Sequence, residues 1–135
     1  MADENMFKLR VISPDRIFYD GEASMVELRT SEGEVGIYRD HIPMTMIVVP
    51  GVLRIKERDG VKEAALHAGF IEVLPEEITI LAEIVEWPEE IDVNRAEEAK
   101  IRAERRLSTG DPDINLVRAE IALKKSLVRL ELGRK

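Results

Sequence analysis

Apolar and polar residues alternate along the first part of the chain, which is typical of β-strands with one buried face. Phe7, Leu9 and Val11 alternate with Lys8 and Arg10 before the chain turns at residues 13–14. Similar runs, separated by Gly, Pro, Asp and Ser, follow at residues 16–19, 26–30, 35–38, 44–49, 52–57, 64–74 and 78–85. About eight short strands at near-regular spacing predict an antiparallel β-sandwich or flattened barrel.

Three positions in this region have predicted backbone roles. The pair Asp20-Gly21 is predicted to end the second strand, and Asp59-Gly60 to form a tight hairpin turn. Gly69 interrupts the longest run, so we expect a β-bulge or a close approach of another backbone segment there.

After residue 88 the spacing of apolar residues becomes helical. Ala96, Ala99, Ala103 and Leu107 lie three or four residues apart, and Asp92 is placed to cap this helix. One face of the first helix is therefore small and apolar.

A second helix follows the breakers at residues 108–112. Asp113 is its predicted N-cap, and Ala119, Ala122 and Ser126 form another small face. Two small faces allow close approach, which predicts an antiparallel helical hairpin. The expected fold class is α+β, with a β-sandwich domain over residues 1–87 and a two-helix hairpin over residues 88–135.

The hairpin is predicted to gather basic side chains. If its turn centres on Gly110, Arg95 lies opposite Lys125, and two further pairs follow, Arg102 with Arg118 and Ile91 with Arg129. Arg95, Lys125 and Arg129 would then converge at the base of the hairpin, beside Asp92 and the sandwich.

Arg95 occupies an unfavourable place for a cation. It is the third residue after the cap, where a capping box has Glu or Gln and where the helix dipole favours negative charge. Arg102 lies two turns further on, roughly 10 Å away along the same face. The two guanidinium groups could grip a polyphosphate. The alternative is a pair of solvated arginines neutralised by Glu98 and other helix carboxylates.

Charge is unevenly distributed within the net charge of -7. Residues 1–90 contain 19 acidic against 9 basic residues, and residues 91–135 contain 8 against 11. An acidic body argues against nucleic acid as the main partner, because phosphate binding needs a basic surface. A basic helical tail could dock on an acidic protein surface or hold an anion.

Several kinds of chemistry are excluded or disfavoured by residue content. The chain has no cysteine, which excludes disulfides, thiolate catalysis and zinc–thiolate sites. No Gly-rich phosphate loop or nucleophile elbow is present. No apolar run approaches the roughly 20 residues that span a bilayer, and the acidic start does not resemble a signal peptide. We therefore expect a binding and regulatory protein with no catalytic residues.

The two histidines are too few for most catalytic metal sites, and no metal site is predicted. His41, close to Pro43, is interpreted as a residue that fixes a loop or contacts a partner. His67, in an alternating strand, is interpreted as structural.

Three segments together resemble the bacterial F-type ATP synthase epsilon subunit. They are SEGEVGIY followed by HIP within residues 31–43, VPGVLRI at 49–55, and IDVNRA at 91–96. Their order and spacing extend the resemblance over essentially the whole chain. The family fold, an N-terminal β-sandwich followed by two helices, agrees with the interpretation of the residue pattern.

The resemblance implies a non-catalytic subunit of the central rotor stalk that couples rotation to ATP synthesis. Its implied partners are the gamma subunit and the c-subunit ring, with Glu34, Tyr38 and His41 near the contact. The helical hairpin of that family folds down on the sandwich or extends toward the alpha and beta catalytic subunits and blocks hydrolysis. The implied location is the cytoplasmic face of the bacterial cell membrane, peripheral and reached only through the complex.

The Bacillus-like branch of that family binds ATP through an Ile-Asp-x-x-Arg-Ala motif in the folded-down form. The motif corresponds here to Ile91, Asp92, Arg95 and Ala96. The other positions that correspond to nucleotide contacts are Glu86, Arg102, Lys125 and Arg129. Lys125 stands where that branch more often has arginine, so it keeps the charge but not the bidentate fork. ATP is thus expected as a regulatory ligand, with its magnesium requirement left open.

Two other functions remain as alternatives. One is a free-standing ATP-sensing module that works without an assembly. The other is a purely structural adaptor with no ligand.

Overall fold

The computed structural model describes residues 5–134 of the 135-residue chain. Eight strands precede two helices, which confirms the predicted α+β class. The strands are β1 Phe7–Ser13, β2 Arg16–Ala23, β3 Met25–Thr30, β4 Gly33–Ile37, β5 Met44–Val48, β6 Gly51–Lys56, β7 Val61–Val73 and β8 Glu77–Glu86. A 3-10 turn, Pro88–Glu90, then leads into α1, Val93–Ser108, and α2, Leu116–Gly133.

The strands form one continuous hydrogen-bonded path in the order β2-β1-β8-β7-β5-β3-β4, with β6 pairing with β3 and β7. The expectation of purely antiparallel pairing is wrong at one place, because β1 and β8 are parallel, with Leu9 beside Ile78. These strands are the first and last of the sandwich, so no tight turn forces them to run in opposite directions. Alternation of side chains is the same in both kinds of pairing, so the sequence pattern did not distinguish them.

The second strand is longer than predicted. Asp20 and Gly21 continue β2 and pair with Arg10 and Leu9 of β1, so the predicted strand end at this dipeptide is wrong. Gly21 lies against the Tyr19 ring, where an added Cβ would come 2.9 Å from the tyrosine hydroxyl oxygen. A glycine that usually signals a turn here makes room for a neighbouring side chain within the strand.

The long strand β7 bends at Gly69 and so serves both layers of the sandwich. Residues 61–66 pair with β6 and residues 69–73 with β5. Ala68 and Gly69 have φ values of 54° and 139°. A Cβ on Gly69 would lie 2.1 Å from the carbonyl oxygen of Leu81, which confirms the predicted close backbone approach. The bend also shifts the alternation, because Leu66 and Ile71 both reach the core.

The helix caps agree in part with the sequence. Asp92 caps α1 as predicted, since its Oδ1 accepts the Arg95 backbone N–H at 3.1 Å. The predicted cap of α2 is wrong, because Asn115 and not Asp113 accepts from the Arg118 N–H. Asp113 instead donates its N–H to the Asp111 carboxylate within the connection. Both residues are favourable caps, so residue type did not decide between them.

The two helices also face each other in a register that differs from the predicted one. Gly133 packs against Ile91 and Val93, where an added Cβ would meet side-chain carbons at 3.1 and 2.8 Å. The connection therefore centres near residue 112, and the predicted register about Gly110 is displaced by about one helical turn. The small faces meet as expected, with buried residues Ala96, Ala103, Ala119 and Ser126.

The hairpin lies against the sandwich. Val128 and Leu132 of α2 form a buried cluster with Val52, Ala65 and Ile91. This cluster is separate from the main core, which lies between the sandwich layers. The docked hairpin brings the start of α1 and the last turns of α2 beside the end of β8.

Candidate functional site

A cavity of about 410 Å³ lies at the base of the hairpin, between the end of β8, the 3-10 turn and both helices. Six of the eight residues predicted to bind nucleotide line it, namely Glu86, Asp92, Arg95, Ala96, Arg102 and Arg129. Two lining residues were not predicted, Glu90 and Ala99. Ala99 lies on the same helical row as Arg95 and Arg102, so helical periodicity could have identified it.

The two arginines of α1 are exposed cations at this cavity. Within residues 5–134, neither Arg95 nor Arg102 forms an ion pair, with Glu98 or with any other carboxylate. The Arg95 backbone N–H is used by the Asp92 cap, and its guanidinium group is left toward the cavity. The arrangement supplies one positive group in the first turn of α1 and a second two turns further along the same face, both directed at the cavity.

Arg129 of α2 lines the same cavity as Arg95 and Arg102, and it is hydrogen-bonded to Glu86 of β8. The Arg129 Nε donates to Glu86 Oε1 at 2.7 Å. The same oxygen lies 3.4 Å from Nε2 of the buried His67. Contact with His67 lowers the pKa of Glu86 to about 2, and the hydrogen bond and charge of Arg129 act in the same direction. Desolvation of the carboxylate opposes them and is outweighed. Glu86 is therefore ionised throughout the physiological range and anchors α2 to the sandwich.

Glu90 belongs to a second anchor that the sequence analysis missed. Both of its carboxylate oxygens accept from the Arg16 guanidinium group of β2, at 2.8 Å each. Glu90 Oε1 also accepts the Trp87 backbone N–H. The Arg16 hydrogen bond, helped by the Trp87 N–H, lowers the pKa of Glu90. These residues are distant in sequence, and nothing in the local pattern indicates that they pair.

Two predicted nucleotide residues lie outside the cavity lining. Ile91 is buried in the cluster beneath α2. Lys125 is displaced because the two helices meet about one turn away from the predicted register, which places Arg129 beside Arg95 instead. Arg118, predicted opposite Arg102, lines a separate depression with Arg106 and Asn115 near the hairpin connection.

Three arginines and three carboxylates line the cavity, and two of the carboxylates, Glu86 and Glu90, are paired with Arg129 and Arg16. Arg129 pairs with Glu86 through its Nε atom. Arg95 and Arg102 have no carboxylate partner in the part of the chain that the structure describes. A polyphosphate suits these groups, because guanidinium forks bind phosphate oxygens two at a time. Among residues 5–134 no cluster of His, Asp and Glu has the form of a metal site.

The predicted partner-contact residues do not form one cluster. Glu34 lies near the start of β4, pairs with Arg29, and lines a groove that also includes Glu131 of α2. Tyr38 follows the last residue of β4, about 13 Å further along at the usual strand rise. Tyr38 is 60% exposed, and the His41 ring contacts the Ile42 carbonyl in the loop that precedes β5.

A row of apolar residues crosses the outer face of five strands and was also missed. Neighbouring pairs in the strand register join Ile17 to Ile12, Ile12 to Leu81, Leu81 to Phe70, and Phe70 to Ile47. Ile47 and Ile17 are 63% and 58% exposed. We call these five residues the outer apolar row. Each strand contributes one residue, so only the sheet register reveals it.

The sequence profile of the ATP synthase delta/epsilon chain β-sandwich domain matches residues 6–88, and that of the long α-helix domain of the same chain matches residues 89–132. The chain belongs to the ATP synthase delta/epsilon family. The ATP synthase epsilon chain of Caldanaerobacter subterraneus subsp. tengcongensis is 42% identical over 98% of this chain and 96% of that protein. The epsilon chain of Bacillus licheniformis is 39% identical over 94% and 97%.

Chains in two solved structures have a similar fold. A chain in the structure of the Euglena gracilis mitochondrial ATP synthase, comprising OSCP, F1 and c-ring, superposes with a TM-score of 0.83 at 22% identity. The superposition covers 100% of this chain and 85% of the Euglena chain. A chain of the Tetrahymena thermophila central stalk and c-ring gives a TM-score of 0.57 at 14% identity. No helix within residues 5–134 has the length and apolar character needed to cross a membrane.

Proposed function

We propose that this protein is a non-catalytic subunit of the central stalk, bound to the gamma subunit and the c-subunit ring. The match to both family domains over nearly the whole chain carries this proposal. The outer apolar row supplies a surface for a protein partner, since aligned exposed apolar residues on a sheet favour association. Association with the complex would hold the protein peripherally at the cytoplasmic face of the membrane.

The hairpin is the regulatory part of the proposed function. In the docked state it rests on the sandwich through a small apolar cluster. Its second helix also exposes Leu116, Val117, Ile121 and Leu127. An apolar surface on both sides of α2 supports a second docking site on the alpha and beta subunits, where the extended hairpin would inhibit hydrolysis.

The cavity at the base of the hairpin is proposed to bind ATP. Arg95 and Arg102 come from α1 and Arg129 from α2, so one polyphosphate would join both helices to the anchor at Glu86. A ligand that binds only the docked form stabilises it by about 2.7 kcal/mol at a hundred times its dissociation constant. That is enough to shift a balanced two-state hairpin almost completely.

Calorimetric titration of ATP into the isolated full chain, with and without magnesium, tests the nucleotide proposal. Asp92→Ala with Arg95→Ala should abolish binding. Loss of the Asp92 cap should cost about 1 kcal/mol, confined to the hairpin, and loss of Arg95 should not weaken the empty helix. Circular dichroism should show the strand signal of the sandwich intact. Near-normal ATP affinity in the double variant would limit these residues to capping and solvation.

Co-purification distinguishes the stalk subunit from the two alternatives. The native protein should be recovered with the gamma and catalytic subunits. Persistent isolation in cells would instead favour a free-standing ATP sensor. Assembly without any ATP-dependent change in melting temperature would favour a structural adaptor.

A further inference from the structure

His67 is a buried polar side chain beside the cavity, and it has no part in the proposed function. It is 0% exposed, and within residues 5–134 neither ring nitrogen reaches a partner with hydrogen-bond geometry. Nearly all buried polar groups have partners, so an exception of this kind points to a functional constraint. The Nε2 atom lies 3.4 Å from Glu86 Oε1, close enough to direct the carboxylate and too far for a strong bond.

The strand alternation places His67 between the sandwich and α2. Leu66 faces the sandwich core, whereas Ala65 belongs to the cluster beneath α2. His67 is on the same side of β7 as Ala65. The charged groups that face it are Glu86 from β8 and Lys125 and Arg129 from α2. We therefore attribute the burial of the ring to the docked hairpin.

We propose that neutral His67 is a positioning residue of the cavity: with its proton on Nε2, it orients Glu86, which in turn holds Arg129 at the cavity wall. This inference rests on the proposed nucleotide site. Glu86 engages Arg129 through Nε, and the two terminal nitrogens of that guanidinium group have no partner in the described part of the chain. Those nitrogens are free to bind an anion beside Arg95.

Protonation of His67 opposes this arrangement. Burial lowers the pKa of His67 from 6.5, Glu86 raises it, and the charges of Arg129 and Lys125 lower it further. Release of the hairpin exposes the ring and restores its ordinary pKa. A group whose pKa is lower in the docked state stabilises that state fully above about 6.5 and loses this contribution as the pH falls. Protonated His67 would also compete with Arg129 for the single carboxylate.

ATP affinity of the full chain measured between about pH 8 and pH 5.5 tests the inference. His67→Gln keeps a neutral donor and does not titrate. His41→Gln is the matched control, because it removes the other histidine at a distance from the cavity. Protonation of ATP itself changes the measured affinity of the wild type and of both variants by the same factor. The wild type and His41→Gln should lose affinity relative to His67→Gln by up to about tenfold per pH unit below 6.5, the limit for one proton.

Amide exchange of residues 116–133, compared at matched pH without ATP, provides an independent readout. Acidification should accelerate exchange in the wild type and His41→Gln more than in His67→Gln. If ATP binds at no pH, the nucleotide proposal fails, and exchange alone then decides the role of His67. Identical pH profiles for the wild type and His67→Gln in both measurements would overturn the inference.

A third variant separates positioning from packing. His67→Phe fills the space but cannot donate to Glu86, so it should weaken ATP binding severalfold even at pH 8. Wild-type affinity in this variant would show that His67 only fills space. If His67→Gln does not fold, His67→Asn serves the same purpose.

Discussion

At the scale of single residues, the bend at Gly69 constrains the sandwich most tightly. A side chain there would have to displace the Leu81 carbonyl at 2.1 Å, and the backbone has a φ of 139° that other residues rarely adopt. A residue other than glycine would therefore meet both an unfavourable φ and a clash with the Leu81 backbone.

Gly69→Ala should therefore lower the free energy of unfolding by about 3 kcal/mol or more. Urea denaturation followed by circular dichroism measures it. Gly60→Ala is the matched control, since a Cβ there meets nothing within 4 Å and its φ is not positive. It should change stability by no more than about 0.5 kcal/mol. Equal effects of the two substitutions would contradict the structural explanation.

At the scale of elements, a limited set of contacts attaches the hairpin to the sandwich. These contacts include a small buried apolar cluster and the half-buried ion pair between Glu86 and Arg129. The Arg16–Glu90 anchor holds the 3-10 turn before the helices begin. We infer that this turn stays on the sandwich when the helices leave.

Removal of residues 91–135 should raise ATP hydrolysis by the assembled enzyme severalfold while assembly persists, because the proposed inhibitory element is lost. Hydrolysis by the purified complex measures it, and gel filtration checks that the subunits remain together. A chain that ends at residue 115 keeps α1 and shows whether α2 is required. Unchanged hydrolysis in both shortened proteins would mean that the hairpin does not inhibit.

At the scale of the whole molecule, the two faces of the protein carry different contacts. The hairpin covers β6 and the first part of β7, whereas the outer apolar row crosses β2, β1, β8, β7 and β5 and remains exposed. Beside this row runs a more polar one that includes Arg10, Thr79, Glu72 and Thr45. A stalk partner can thus bind the sandwich whether or not the hairpin is docked.

Ile47→Asp should weaken capture of the gamma subunit by about 2 kcal/mol or more, because it places a charge on the most exposed residue of the outer apolar row. Thr45→Asp is the control, because it introduces the same charge two residues away on the same strand and face. Quantitative pull-down with purified gamma subunit measures both. Equal capture of the two variants would mean that the partner binds elsewhere on the protein.

Local patterns in the sequence determined the elements and much of the candidate site. Alternation identified the strands, and helical spacing with Asp92 identified α1. The position of Arg95 predicts a nearby anion. Six predicted nucleotide residues line one cavity. The strands, α1 and its Asp92 cap were predicted correctly because side-chain period and capping depend on residues close together in the chain. Binding of nucleotide by the six residues stays a prediction.

Only the tertiary structure decided which distant residues meet. The parallel pairing of β1 with β8, the outer apolar row and the Arg16–Glu90 anchor each join segments far apart in sequence. Packing also set the register between the two helices, which differs by about one turn from the predicted one and leaves Lys125 outside the cavity that Arg129 lines. The sequence around His67 does not indicate the proposed role of this residue. A strand pattern specifies the face on which a side chain lies, whereas packing of β7 against β8 and α2 brings Glu86 within 3.4 Å of it.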